Sequence, residues 1–200
     1  MPVMLRYSLF PFMLILAILG CRREHEYTKR VREGLASGVR HDSLFMGIYL
    51  GMVQRDFYAQ CWELNKQGLV RQGTGNTTVL YKTKELKEPA DMNFYPSFYQ
   101  QKIWQMPVRF NYESWAPWNK RLMADSLQID VLRLFNKWYG DDFIEVRHPD
   151  GKIAYVKVDG NRRITIYKQD DQFVIANFTD LLVEIELKKE AEKELSSNKE

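Results

Sequence analysis

The sequence predicts an α+β protein in which two amphipathic helices pack on an antiparallel β-sheet. Three observations support this fold class. Two segments place apolar residues three or four positions apart, as the buried face of a helix does. Several short segments are rich in the β-branched and aromatic residues that favour strands, and turn-forming residues separate them. Because a helix is followed by strands twice, residues 44–100 and 101–187 of this globular domain are expected to form two similar halves.

The first half begins with an apolar segment, Leu44 to Met52, that two glycines interrupt. A helix is predicted from residue 53, because its apolar residues are spaced by four, four and three positions: Val53, Phe57, Cys61 and Leu64. Gly68 is a typical C-terminal stop for such a helix. Residues 77–83 and 92–98 then have the composition of strands.

The second half repeats this order. Residues 103–112 are predicted to form an edge or bulged strand, because Pro107 cannot donate a ladder hydrogen bond. A long helix that ends before Gly140 follows, with an apolar face made by Met123, Leu127, Val131, Leu134, Phe135 and Trp138. Strands are expected at 143–147, 152–158, 163–168, 173–178 and 181–187, with turns at Pro149-Asp150-Gly151 and Asp159-Gly160-Asn161. Residues 188–200 are predicted to be a charged tail or a frayed helix.

The N-terminus has the layout of a signal peptide over residues 1–20. One basic residue, Arg6, precedes an uncharged apolar block from Leu9 to Leu19. This block is shorter than the roughly 20 residues that a helix needs to cross the hydrocarbon core of a bilayer. The alternative is an uncleaved membrane anchor that includes Gly20 and Cys21 and ends at the two following arginines.

The end of this block, Ile18-Leu19-Gly20-Cys21, resembles the lipobox of bacterial lipoproteins. The resemblance implies that Cys21 receives a diacylglycerol thioether, that cleavage falls after Gly20, and that the new amino group is acylated. Two or three acyl chains anchor a protein stably to a membrane. Arg22 stands where some lipoproteins of the inner membrane have aspartate, so an outer-membrane location in the cell envelope is expected. Residues 21–43 are predicted to be a polar tether, and whether the protein faces the periplasm or the cell surface stays open.

The segment Gly47-Ile48-Tyr49-Leu50-Gly51-Met52 resembles the region before the first helix in small outer-membrane assembly lipoproteins of the SmpA/OmlA type. In that family two helices pack against a three-stranded antiparallel sheet, whereas this chain has an additional block of helix and strands. The resemblance implies a non-catalytic scaffold that binds other proteins.

Charge and cysteine content exclude several function classes. The formal net charge of +3 is too small to indicate nucleic-acid binding. Cys21 and Cys61 are the only cysteines, so lipidation of the first leaves the second without a disulfide partner. Cys61 lies on the apolar face of the first helix and is predicted to be a buried thiol rather than a nucleophile. No His or Cys spacing indicates a metal site, and no cofactor is expected.

An aromatic-rich segment is the main candidate for binding. Its rings are Phe94, Tyr95, Phe98, Tyr99, Trp104, Phe110, Tyr112, Trp115 and Trp118. Large amphipathic rings suit both carbohydrate faces and protein hot spots, although most of these rings are expected to fill the core. The candidate binding residues are Trp104, Tyr112, Trp115 and Trp118, and the last two are predicted to be exposed because Pro117 places them in a loop.

Candidates for catalysis are few. Asp141-Asp142 follows a helix-ending glycine and is predicted to be a solvated turn rather than an acid-base pair. Arg162-Arg163 beside Asp159 either flanks a strand or grips an acidic partner. No nucleophile elbow, phosphate loop or dinucleotide fingerprint is present. The sequence therefore favours a lipid-anchored, non-catalytic protein- or glycan-binding module, with an envelope hydrolase that lacks a local motif as the alternative.

Overall fold

A nine-stranded antiparallel sheet organises the chain, and the α+β prediction is confirmed. The structure is a computed structural model that describes residues 26–73, 75, 77–148 and 150–197. Within these residues the helices are α1 (Glu26–Ala36), α2 (Gln54–Lys66), α3 (Ala124–Tyr139) and α4 (Leu181–Ser197). The strands are β1 (Val70–Gln72), β2 (Val79–Thr83), β3 (Ala90–Phe94), β4 (Ser97–Tyr99), β5 (Lys102–Tyr112), β6 (Ile144–Arg147), β7 (Ile153–Asp159), β8 (Arg162–Lys168) and β9 (Val174–Asp180).

The strands follow the order β1-β2-β3-β5-β9-β8-β7-β6, and β4 pairs with the part of β5 that β3 does not reach. The sheet is therefore continuous across the expected boundary between the halves. β5 and β9 lie at its centre and pair from Gln105 opposite Thr179 to Phe110 opposite Val174.

The prediction that residues 103–112 form an edge strand is wrong, because β5 has neighbours on both sides. Pro107 lies opposite Asn177 of β9. On its other side the ladder changes from β3, where Val108 lies opposite Phe94, to the irregular pairing with β4. At such an interruption of the ladder, a central strand tolerates a residue without a backbone N–H. β5 is therefore an irregular central strand and not an edge strand.

Helix α3 covers one face of the sheet, which we call the inner face. Its predicted apolar residues Leu127, Val131, Leu134 and Phe135 are buried. The Phe135 ring lies 5.6 Å from that of Phe178 on β9 and 6.1 Å from that of Phe110 on β5, measured between centroids. The inner face thus carries the main hydrophobic core, and the helical spacing predicted this face of α3 correctly.

The prediction of a strand over residues 181–187 is also wrong, since these residues begin α4. The Asp180 carboxylate accepts a hydrogen bond from the Leu182 N–H at 3.1 Å, which satisfies a free donor at the helix start. The alternating apolar residues of this segment suggested a strand, but the following Glu, Lys, Leu and Ala residues favour a helix. The described part of the predicted charged tail is helical through residue 197.

Helix α1 lies inside the segment predicted to be a polar tether. It has no buried residue, and polar contacts hold it against the outer face of the sheet. Arg163 of β8 donates to the Tyr27 hydroxyl at 2.9 Å, and Arg30 donates to the Asp142 carbonyl at 2.8 Å. Tyr27, Val31 and Leu35 are spaced by four positions and are half-buried, so α1 also has a short apolar stripe, which the prediction of a polar tether overlooked. In the described part of the chain, no helix is both long and apolar enough to cross a membrane.

The glycine-interrupted segment before α2 folds as a loop whose apolar side chains enter the core: Leu44, Phe45, Ile48, Leu50 and Met52. Gly47 has a φ of +75°, and the Gln60 side chain of α2 donates to the Met46 carbonyl at 2.8 Å. The Tyr139 hydroxyl donates to the Leu44 carbonyl at 2.8 Å. These bonds hold the loop over the C-terminal end of α3, where a cavity of about 600 Å³ lies.

Candidate functional site

The predicted binding residues lie in different environments. Trp118 is 84% exposed, as expected for the loop. Trp115 is half-buried, and its Nε1–H donates to the Asp171 carbonyl at 3.3 Å. Trp104 is half-buried on β5. Cys21, the predicted lipidation site, lies outside the described residues.

Tyr112 is buried rather than surface-exposed, with only 2% of its surface accessible. Its hydroxyl donates to the Asp130 carboxylate at 2.8 Å, and burial raises its pKa, with a further contribution from Asp130. It borders a cavity of about 320 Å³ together with Glu88, and the three tryptophans are not among the described residues that line it. Asp130 also accepts from Arg133 at 3.0 Å, and Glu88 pairs with Arg121 at 3.2 Å.

The strongest candidate site is a cavity of about 600 Å³ between the loop before α2, the end of α3 and strands β2 and β8. We call it the Arg162 pocket and define it by Phe45, Tyr81, Glu85, Trp138, Tyr139 and Arg162. Pockets that bind small molecules typically have this size, apolar walls and a few polar groups.

Arg162 is the buried cation of this pocket, with 6% of its surface accessible. It is the first residue of β8, and its guanidinium lies 5.0 Å from the ring centroid of Tyr139. One terminal nitrogen donates to the Ser43 carbonyl, and the other donates to the Asp159 carboxylate at 2.8 Å. The Nε–H has no hydrogen-bond partner among the described residues. The surrounding protein covers this atom, so it is a buried unsatisfied donor, which is unfavourable for stability, and not a contact that is open to a ligand.

Arg162 belongs to a row of alternating charges. Asp159 accepts a hydrogen bond from Arg162 and forms an ion pair, at 3.0 Å, with the buried ammonium of Lys157, which also contacts Asp142. Burial acts to raise the pKa of Asp142, but the hydrogen bond and charge of Lys157 outweigh it, so this pKa is lowered. Two cations thus alternate with two carboxylates, and the guanidinium of Arg162 has its charge compensated within the protein.

The other polar groups of the pocket are on and after β2. Burial, together with the nearby Glu85 carboxylate, raises the pKa of Tyr81. Glu85 itself is exposed, and its carboxylate has no hydrogen-bond or ion-pair partner among the described residues. Tyr139 is largely buried, which raises its pKa. The pocket therefore combines aromatic surfaces with the Tyr81 hydroxyl and an available acceptor at Glu85.

A second aromatic cleft of about 500 Å³ lies beside α2. The Tyr58 and Tyr95 hydroxyls are 2.7 Å apart, and Trp62 on the same helix is 62% exposed. Cys61 borders this cleft as a half-buried thiol without a disulfide, and burial raises its pKa to about 11. A thiol with this pKa stays protonated near neutral pH and is a poor nucleophile.

The structure separates two arginines that adjoin in sequence. Arg162 and Arg163 lie on opposite faces of the sheet, because successive residues of a strand alternate. Arg163 donates to Glu184 of α4 and to Tyr27 of α1, so the two arginines do not grip one partner together. Asp142 contacts Lys157, which the sequence did not indicate. The alternation of side chains along a strand could have predicted this separation of the arginines. No local sequence pattern indicated that Tyr81, Glu85 and Tyr139 line a common pocket.

Both clefts offer aromatic surface, hydrogen-bonding groups and ionisable side chains. Among the described residues, no group of three or more His, Cys, Asp or Glu side chains is arranged to hold a metal ion. Comparisons with family models, with curated proteins and with solved structures find no match for the chain.

Proposed function

We propose that this protein is a lipid-anchored lipoprotein of the bacterial cell envelope that binds a protein or glycan without catalysis. Residues 1–20 are its signal peptide, and acylated Cys21 attaches it to the membrane, with the outer membrane as its location. The support for the anchor is the apolar block that ends in Ile18-Leu19-Gly20-Cys21. The described domain is the part that recognises the partner.

The observation that carries the binding function is the Arg162 pocket. Its aromatic walls line a cavity of about 600 Å³, while Asp159 already compensates the charge of the Arg162 guanidinium. Such a site suits binding rather than proton transfer, because general acid-base catalysis needs a group that can exchange its proton near the working pH.

The alternative is an envelope hydrolase that uses the carboxylates beside Tyr112. Asp130 is held by Tyr112 and Arg133, and Glu88 is paired with Arg121. Each carboxylate is thus already engaged by an arginine of the protein, whereas a general acid or base has to reach the proton that it transfers. We therefore favour the binding function.

We also propose that the globular domain consists of two similar halves. The support is the order of elements: α2 precedes β1 to β5, and α3 precedes β6 to β9. Apart from β4, which lies off the main strand order and pairs with β5, each half has four strands, and their last strands, β5 and β9, pair with each other at the centre of the sheet. By this order the first half extends beyond residue 100 to the end of β5.

Metabolic labelling with a fatty-acid analogue tests the anchor. The native chain and the Cys61→Ser control should carry the label, and Cys21→Ser should lose it and leave the membrane fraction. Equal labelling of Cys21→Ser and the native chain would contradict the lipoprotein proposal, as would the absence of label from both.

Site-specific crosslinking tests the binding surface. A photo-crosslinking residue at position 85, on the Arg162 pocket, should capture a defined envelope component in cells. The same residue at position 192, exposed on α4, is the matched control. Equal crosslinking at the two positions would remove the support for the pocket as the binding site.

A further inference from the structure

We propose that the ligand of the Arg162 pocket is an uncharged sugar unit of a glycan, a statement that rests on the proposed binding function. A sugar ring offers hydroxyl groups that donate and accept hydrogen bonds, together with an apolar face of C–H groups. The pocket presents a partner for each of these features.

The polar groups of the pocket match hydroxyls in both directions. The Glu85 carboxylate can accept from a hydroxyl, since ionised carboxylates only accept hydrogen bonds. The Tyr81 hydroxyl, close enough to Glu85 for its pKa to respond, can donate to a hydroxyl oxygen or accept from a hydroxyl.

The charges of the pocket disfavour an anion. Asp159 lies 2.8 Å from the Arg162 guanidinium and compensates its charge, and Glu85 adds a negative charge to the lining. A carboxylate or phosphate would gain little from the compensated cation and would be repelled by Glu85. A neutral ligand with many hydroxyls avoids this repulsion and can still bond to Tyr81 and Glu85.

The walls and size of the pocket suit the body of a sugar. Phe45, Trp138 and Tyr139 supply aromatic surface, and rings of this kind bury a large area while the indole and phenol keep polar edges. The volume of about 600 Å³ lies within the range of pockets that hold whole small molecules. One sugar unit of a longer chain can enter while its neighbours extend past Glu85 into solvent.

Titration of the full mature chain with sugars tests the proposal, in a detergent without a sugar headgroup. The probes are methyl glucoside, methyl galactoside and N-acetylglucosamine, with glucuronate as the anionic comparison. We expect at least one neutral sugar to shift the Trp138 indole NMR signal, assigned with Trp138→Phe, among those of the five tryptophans. Glucuronate should bind at least about fivefold more weakly than the neutral sugar, because Glu85 repels it.

Two variants remove one polar contact each with little risk to folding. Glu85→Ala and Tyr81→Phe should each weaken sugar binding at least about threefold, as the loss of one hydrogen bond does. The matched controls are Glu192→Ala on α4 and Tyr167→Phe on the outer face, and both should bind like the native chain. Equal binding by the variants and the controls would overturn the proposal.

The same titration separates failure of the ligand class from failure of the pocket. If no sugar shifts the Trp138 signal but an uncharged tripeptide does, the sugar proposal is overturned and the binding function stands. If neither probe shifts it, and position 85 captures nothing in cells, both proposals are overturned.

Discussion

The two hairpin turns on either side of β7 are alike in sequence and differ in what they contact. The turn between β6 and β7 contains Asp150-Gly151, and the turn between β7 and β8 contains Asp159-Gly160-Asn161. Around the first turn the contacts are local: Asp150 accepts from the Lys152 N–H at 3.0 Å and pairs with His148 at 2.9 Å. The second turn is covered by the chain between α1 and α2.

The covered turn is a junction of the fold. Asn161 is buried, accepts from the His41 N–H at 2.7 Å and donates to the Asp42 carboxylate at 2.9 Å. Asp159 and Arg162, at its two ends, form an ion pair at 2.8 Å, and Arg162 lines the Arg162 pocket. Local sequence therefore specifies a turn, but tertiary contacts decide whether that turn is replaceable.

Replacing the glycine of each turn should give the largest difference. A Cβ at Gly160 would lie 2.1 Å from the Val39 carbonyl oxygen, whereas a Cβ at Gly151 meets nothing within 4 Å. Both glycines have positive φ, which costs other residues about 1–2 kcal/mol. Gly160→Ala adds a backbone clash and should lower the free energy of unfolding by about 3 kcal/mol or more. Gly151→Ala should lower the free energy of unfolding only by the conformational cost of about 1–2 kcal/mol.

Urea denaturation of both variants measures this difference. Equal losses would show that the segment around Val39 moves away at little cost. In that case the second turn would not be the junction described above.

Truncation of Asn161 should give the next largest effect. Asn161→Ala removes the hydrogen bonds to the His41 N–H and to the Asp42 carboxylate, which should lower the free energy of unfolding by about 1–3 kcal/mol. Hydrogen exchange should become faster at the His41 amide while that of the β5–β9 ladder changes only with global stability. Unchanged protection of His41 would contradict the role given to this side chain.

These contacts also show why sequence patterns predicted some elements and missed others. The apolar face of α3 was predicted because its residues, such as Leu127 and Phe135, bury themselves against the sheet in strict helical spacing. Helix α1 was missed because its apolar stripe has only three members, Tyr27, Val31 and Leu35, within a strongly charged segment. The position of β5 was missed because Pro107 excludes a regular central ladder but not an interrupted one.

The candidate site was less predictable than the fold. The aromatic-rich segment drew attention to Trp115 and Trp118, whereas the Arg162 pocket joins residues from distant parts of the chain. Tyr81 lies on β2 and Glu85 in the loop after it, so these two residues are close in sequence. Arg162 on β8 joins them only because the start of β8 packs against the loop before α2. Long-range pairing of this kind leaves no local spacing to read.

A smaller effect is expected at Asp142, which pairs with Lys157 beside the covered turn. Its pKa is lowered in the folded state, so its contribution to stability is present above the ordinary value of 3.8 and is lost as the pH falls through the lowered pKa. Asp142→Asn should reduce the free energy of unfolding at pH 7 by up to about 1 kcal/mol, since the carboxylate is half-exposed. The two chains should converge in stability once the pH is below the lowered pKa of Asp142. A constant difference across this range would contradict the ionic origin of the effect.

The smallest effect is expected at Asp150 in the exposed turn, although its pKa is lowered to about 2, first by the Lys152 backbone N–H and then by His148 and Lys152. As for Asp142, any contribution of the Asp150 carboxylate to the free energy of unfolding is present above pH 3.8 and is lost as the pH falls towards 2. Because water competes for an exposed carboxylate, Asp150→Asn should leave the unfolding midpoint unchanged at pH 7 within experimental error. NMR titration should still give the native carboxylate a pKa of about 2. A loss of stability as large as that of Asp142→Asn would mean that the exposed turn, like the covered one, supports the fold beyond its own hairpin.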